Sequence, residues 1–275
     1  MNSAYRGMDT AALDAAYDNT RAVADSGRLL AEFDARSAEL RRTRATARDL
    51  RYGAAPRNRI DYFAGAKGAP LLVFIHGGYW QMRAKETFSF VAAGPLAHGL
   101  HVAVIGYTLA PDITLDGIIG EVRAAIAWLA AHAHEYGADI SRMYVSGWSA
   151  GGHLTAMCMA EPAVRGGLAI SGIYDLEPIR RCYLNAKLGL SAEDVERLSP
   201  LHQLQSAAAP LMIAYGAAEL PELQRQSQDY ATARAAAGLR GRSLRIDACN
   251  HFTILEQLAA ADGALTRLLL ELVSI

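Results

Sequence analysis

The segment Gly147-Trp148-Ser149-Ala150-Gly151 has the form G-x-S-x-G. It stands between an apolar run, Met143 to Ser146, and a stretch of helical character, Gly151 to Met159. A serine hydroxyl that is to reach a substrate carbonyl must project from a very sharp strand-to-helix turn. Glycines two residues to either side remove the Cβ atoms that would collide there. In this context Ser149 is a candidate nucleophile for acyl transfer. A second segment, His76-Gly77-Gly78-Tyr79-Trp80, follows directly on the apolar run Leu71 to Ile75. Attack on a carbonyl creates an oxyanion, and losing one pre-aimed N–H donor to it costs about 10²–10³ in rate. Glycines after a strand let backbone N–H groups face a site without obstruction. The amides of Gly77 and Gly78 are therefore candidate oxyanion donors, joined by that of Ala150, next after the nucleophile.

These groups need strands that end together. Runs resembling strands are Arg59 to Phe63, Leu71 to Ile75, Val102 to Tyr107, Met143 to Ser146, Leu168 to Ser171, Leu211 to Tyr215 and Ser243 to Ile246. Between them, helical spacing occurs over Lys85 to His98, Asp116 to His134, Gly151 to Met159 and Glu222 to Ala237, with a last helix from Thr253. Strand–helix alternation with nearly continuous apolar strands predicts an α/β fold, a mainly parallel sheet covered by helices on both faces. Residues 1–50 are expected to form a helical extension, read as helix from about Thr10 to Leu50, with Leu29, Leu30, Phe33 and Leu40 near one face. Residues 51–275 are expected to be one domain, in which 177–207 is an irregular excursion, a candidate small cap above the sheet.

The chain resembles the α/β-hydrolase superfamily, and within it the arylformamidase (kynurenine formamidase) branch. The resemblance rests on His76-Gly77-Gly78-Tyr79-Trp80, which fits the branch's HGGxW signature, and on the elbow Gly147 to Leu154. It rests also on Gly216 to Leu223 with Gln226-Ser227, and on Asn250-His251-Phe252 with Ile254 and Glu256. It covers the chain from about Leu50 onwards; general esterases of the superfamily carry a third glycine where Tyr79 stands. The resemblance implies an α/β-hydrolase fold, a Ser-His-acid triad and hydrolysis of an aryl formamide such as N-formylkynurenine. His251 follows the last apolar strand, where the chain order Ser, acid, His puts the general base. Glu219, after the strand Leu211 to Tyr215, matches the family position of the acid, although many superfamily members carry Asp there. Asp175, after Leu168 to Ser171, is a rival, whereas Asp247 is read as capping a strand end.

Other residues near these motifs have plainer expected roles. His76 is expected to brace the oxyanion loop, and His153 to pack or hydrogen-bond. His98, His101, His132, His134 and His202 are expected at the surface or at helix ends. Trp148 is read as core under the elbow; Tyr79 and Trp80 are read as pocket wall, binding an aromatic substrate by stacking and apolar contact. Arg180, Arg181 and Asn185 could reach a substrate's polar end, the arginines being read rather as solvated surface.

Composition narrows the alternatives. The 275 residues are 52% hydrophobic and 20% charged, with a formal net charge of −1. That excludes a disordered chain and gives no electrostatic case for nucleic acid or an acidic membrane as partner. Cys158, Cys182 and Cys249 form no metal-binding or disulfide pattern, and are read as buried thiols in a reducing compartment. The longest apolar run is far shorter than the about 20 residues that span a bilayer, so a cytoplasmic location is expected. The expected partner is a small aromatic amide or ester, with no metal or organic cofactor; a homodimer is one open option. A carboxylesterase acting on short aryl or alkyl esters would use the same residues. A silent ligand-binding protein of this fold is the remote alternative, and Ser149 argues against hydrolases with an Asp or Cys nucleophile.

Overall fold

A strand covered on both faces must be apolar throughout, and Pro70-Leu71-Leu72-Val73-Phe74-Ile75 satisfies that. The computed structural model describes residues 5–204 and 209–274. Its strands are β1 (Ala47–Arg51), β2 (Arg59–Phe63), β3 (Pro70–Ile75), β4 (His101–Ile105), β5 (Asp139–Trp148), β6 (Val164–Ile170), β7 (Leu211–Gly216) and β8 (Ser243–Ile246). They form an eight-stranded sheet in the order β1-β2-β4-β3-β5-β6-β7-β8. β2 is antiparallel to both its neighbours, and every later pairing is parallel.

The helices preceding β1 are α1 (Thr10–Ala16), α2 (Asn19–Ala22) and α3 (Ser26–Arg44). Next come α4 (Lys85–Phe88), α5 (Ala93–Ala97), α6 (Leu115–His132) and α7 (Ala150–Met157). The excursion holds α8 (Glu177–Arg181), α9 (Asn185–Leu188) and α10 (Ala192–Leu198), and its expected end, 205–207, lies outside the described residues. Last are α11 (Pro221–Ala236), α12 (Glu256–Ala259) and α13 (Ala264–Val273). Alternation along each strand divides the core between two faces. Leu71, Val73 and Ile75 pack with Ile118, Val122, Ile126 and Leu129 of α6 and Leu154 of α7. Leu72 and Phe74 face the other way, towards Phe33 of α3 and Leu265, Leu268 and Leu272 of α13. The sheet with its flanking helices is the α/β-hydrolase architecture expected from the sequence.

Two expectations need correction. The N-terminal extension is not helical to Leu50. Asp9 and Asp18 accept from the amides of Ala12 and Arg21 and so start separate short helices, as aspartates do at N-caps. Residues Ala47–Arg51 then enter the sheet as its edge strand, pairing with β2. Composition alone suggested helix there, but pairing with a neighbouring strand overrides weak propensity. A partly buried ionic cluster, centred on the buried Lys85 and Asp61, locks the junction. Lys85 Nζ lies 2.7 Å from Asp49, 2.8 Å from Asp61 and 2.7 Å from Glu86, and Arg41 Nε lies 2.7 Å from Asp61. The second correction is His101, which is wholly buried in β4 rather than at the surface. Its Nδ1 accepts from the Gly65 amide at 3.2 Å and its Nε2 donates to the Ala66 carbonyl at 2.9 Å, so both ring nitrogens are satisfied.

Candidate active site

The turn from β5 into α7 has the geometry the glycines foretold. Ser149 sits at φ 58°, ψ −120°, a region that a residue with a side chain enters only under constraint. A Cβ on Gly147 would lie 2.2 Å from the Gly151 carbonyl oxygen, and one on Gly151 would lie 2.0 Å from that of Ile75. Neither approach is possible for any other residue. Ala150 is the first residue of α7, so its N–H has no carbonyl one turn ahead to bond.

After β3 the chain passes directly beside the serine. A Cβ on Gly77 would stand 2.9 Å from Ser149 Cβ and 2.7 Å from the Trp148 carbonyl oxygen. Gly78, Tyr79 and Trp80 all lie in the left-handed region, at φ 109°, 50° and 60°. The amides of Gly77 and Gly78 take no protein acceptor among the described residues. His76 braces this loop as expected. Its Nδ1 donates to the Gly77 carbonyl at 2.7 Å, and its ring stacks on Tyr107 with centroids 4.3 Å apart. Burial pushes its pKa down to about 3, so it is neutral and no proton carrier at ordinary pH.

His251 and Glu219 meet on the loops after β8 and β7. His251 Nδ1 is 3.2 Å from Glu219 Oε2. The other carboxylate oxygen, Oε1, accepts from Ser171 Oγ at 2.5 Å and from the Gly216 amide at 2.7 Å. Trp148 does more than fill the core: its Nε1 donates to the His251 carbonyl at 2.7 Å and its ring lies 4.7 Å from the imidazole. Ser149 and His251 are only 2% and 3% exposed. Ser149 Oγ makes no hydrogen bond among the described residues; a nucleophile–base contact often tightens only when substrate binds.

The structure keeps the rival acids away from the imidazole. Asp175 accepts from Tyr5 Oη at 2.8 Å and from the Glu177 amide at 2.9 Å. Asp247 is exposed and pairs with Arg245. His153 donates from Nε2 to the Leu198 carbonyl at 2.8 Å, and burial lowers its pKa to about 4. Trp80, expected at the pocket wall, is wholly buried edge-on against His153, with centroids 5.0 Å apart. It therefore presents no surface to a ligand. Tyr79 is buried too, and its hydroxyl is engaged with the N-terminal segment. Arg180 and Arg181 pair with Glu177, and Asn185 bonds the backbone of Leu190. Ser171 was not singled out in the sequence. Only its place after an apolar strand, at the same sheet end as the elbow, could have flagged it. Among the described residues, no group of three or more His, Cys, Asp or Glu could hold a metal ion.

The chain is similar to several known proteins. The BD-FAE family matches residues 62–164, and the prolyl oligopeptidase family matches residues 116–218. A kynurenine formamidase from Danio rerio is 33% identical over 245 residues, covering 83% of this chain and 82% of that protein. The kynurenine formamidase of Drosophila melanogaster is 28% identical, covering 82% of this chain and 80% of that protein. A crystal structure from Silicibacter sp. TM1040, provisionally assigned as a thioesterase, superposes with TM-score 0.84 at 27% identity, covering 93% of this chain and 98% of that one. A thermostable carboxylesterase from a metagenomic library shares the fold at TM-score 0.74 and 18% identity, covering 90% of this chain and 95% of that one. With a relative this similar along most of both sequences, the chain belongs to the kynurenine formamidase family of the α/β-hydrolases.

Proposed function

We propose that the protein is a serine hydrolase that releases formate from an aryl formamide of the N-formylkynurenine kind. Ser149 attacks the formyl carbon while His251 takes the hydroxyl proton at Nε2. The negative charge on the carbonyl oxygen is met by the amides of Gly77, Gly78 and Ala150. His251 then gives the proton to the departing nitrogen, and the C–N bond breaks to leave an arylamine and a formyl ester on Ser149. Water, deprotonated by the same imidazole, hydrolyses that ester to formate. An arylamine leaves more readily than an alkylamine because its lone pair delocalises into the ring. Glu219 holds the imidazole with its proton on Nδ1 and stabilises the imidazolium.

The observation that carries the assignment of roles is the 3.2 Å contact of His251 Nδ1 with Glu219, on loops beside a serine held at φ 58°. The substrate class follows from the family. Hydrolysis of a short ester by the same groups is the second reading, favoured by an Arabidopsis thaliana relative named as a probable isoprenylcysteine methylesterase, 29% identical over 147 residues. We also place the activity in a reducing compartment, the cytoplasm, where Cys158, Cys182 and Cys249 stay buried thiols. Turnover of N-formylkynurenine and p-nitrophenyl acetate separates the two substrate readings; a negligible kcat/KM for the formamide would leave only the ester. Labelling by a fluorophosphonate, lost in Ser149→Ala, tests the nucleophile, and an unlabelled wild type would overturn it.

A further inference from the structure

The loop that carries the candidate oxyanion donors is strained. Three successive residues, Gly78, Tyr79 and Trp80, hold positive φ, and two of them are not glycine. Such a run persists only where its surroundings over-determine it. Four clamps, six hydrogen bonds in all, do so. The Gly78 carbonyl accepts from Gln81 and Met82 at 3.0 Å, the Trp80 carbonyl from Ala110 at 2.8 Å, and Gln81 Nε2 donates to the Leu184 carbonyl at 2.7 Å. The fourth comes from far upstream. Tyr79 Oη donates to the Tyr17 carbonyl at 2.7 Å and accepts from Asn19 Nδ2 at 2.8 Å.

The Tyr17 end of that fourth clamp is itself fixed. Tyr17 is wholly buried, and its hydroxyl accepts from Gln226 Nε2 at 3.1 Å and donates to Glu222 Oε2 at 3.3 Å. Glu222 and Gln226 lie on α11, the helix that follows Glu219. Asn19 is 5% exposed and its Oδ1 has no partner among the described residues. A buried amide that leaves its acceptor unmet costs stability, so its retention calls for a role other than packing.

We infer that Asn19, with the Tyr17 carbonyl, is a positioning residue of the active site: it holds the Tyr79 hydroxyl and thereby the Gly77-Gly78 amides against Ser149. The junction of α1 and α2, from Tyr17 to Asn19, then spans from the oxyanion loop to the helix behind the acid. This inference rests on the proposed reading of Gly77 and Gly78 as oxyanion donors.

The test compares Asn19→Ala, Tyr79→Phe and the double variant in the full chain, with formanilide as substrate and an aryl trifluoromethyl ketone as inhibitor. The ketone forms a tetrahedral adduct whose oxyanion needs the same donors. Each single variant should lose about tenfold in kcat with KM nearly unchanged, less than the about 10²–10³ of a missing donor. Affinity for the ketone should fall in parallel. Because both substitutions act through one hydroxyl, the double variant should match Tyr79→Phe; independent effects would instead multiply to about a hundredfold. A merely structural role lowers the melting temperature but leaves kcat per folded molecule and ketone affinity unchanged, and that result would overturn the inference, as would multiplying losses. Should Asn19→Ala fail to fold, Tyr79→Phe alone carries the same readouts. Wild-type enzyme that neither turns over formanilide nor binds the ketone would instead defeat the functional reading beneath it.

Discussion

Replacing Glu219 by glutamine changes one atom, and its consequence can be followed through the hydrogen bonds. Oε1 of Glu219 accepts from the Gly216 amide at 2.7 Å and from Ser171 Oγ at 2.5 Å. The backbone N–H cannot reverse its role, so in Glu219→Gln the amide oxygen must take that place. The NH₂ group then occupies the position 3.2 Å from His251 Nδ1 and donates to it. Nδ1 must accept, its proton moves to Nε2, and the imidazole presents an N–H to Ser149 instead of a lone pair. A wrong tautomer of this kind costs about 10⁴ in kcat, or about 5 kcal/mol of transition-state stabilisation. Asp175→Asn is the control, because Asp175 contacts Tyr5 and Glu177 rather than the imidazole. Its kcat should stay within about tenfold of wild type, its local hydrogen bonds to Tyr5 and Glu177 being the only losses. Both are measured as kcat for an aryl formamide at neutral pH, with far-UV circular dichroism establishing equal folding. A Glu219→Gln enzyme within tenfold of wild type, or an Asp175→Asn enzyme a thousandfold slower, would refute the reasoning.

Two further outcomes concern stability. Lys85→Met leaves the wholly buried Asp61 with Arg41 as its remaining cation, and should lower the unfolding free energy by about 3 kcal/mol in urea denaturation; a loss under about 1 kcal/mol would mean the cluster is not a net support. Burial holds His76 down at about 3 and His153 at about 4, below the about 6.5 of an unfolded histidine, so between these values the unfolded chain binds more protons and stability falls as pH drops. His153→Gln should flatten that fall by about 1.4 kcal/mol per pH unit between about pH 6 and 4.5, and an unchanged slope would exclude His153 as a source.

What could be read from the sequence was set by how local the physics is. The elbow glycines and Gly77 collide with atoms only a turn or one neighbouring strand away, so residue type and spacing announce them. The parallel sheet was visible because β3, β4 and β7 are buried throughout and β5 is buried from Met143 onwards, and such doubly covered strands read as nearly continuous apolar runs. Ser171 was not visible, since its partner Glu219 is 48 residues distant and a serine after a strand has many ordinary uses. Asn19 acts on Tyr79 across 60 residues, and no local pattern encodes such a contact. His101 was misplaced for the same reason: its burial depends on Gly65 and Ala66, on a separate segment, satisfying both ring nitrogens. Trp80 was misread because an aromatic residue beside a catalytic loop can face either the pocket or the core, and His153 behind it decides for the core.

The sheet alone cannot bring the proposed triad together. Strand order places β5 and β8 three positions apart, with β6 and β7 between, which at about 4.8 Å per strand is a gap of about 14 Å. Ser149 leaves from β5 and His251 from the loop beyond β8, so that loop must return across two strands. Trp148 marks where it arrives: the indole next to Ser149 donates to the backbone carbonyl of His251 itself. Glu219, from the strand between, meets the same imidazole on the way and is in turn held by Ser171 at the end of β6. Each strand end from β5 to β8 thus supplies one contact in the crossing. The imidazole is consequently fixed from its backbone and from its ring at once. For the base proposed here, that double hold gives a residue carried on a loop a defined orientation at the sheet end where Ser149 is itself locked in a strained turn.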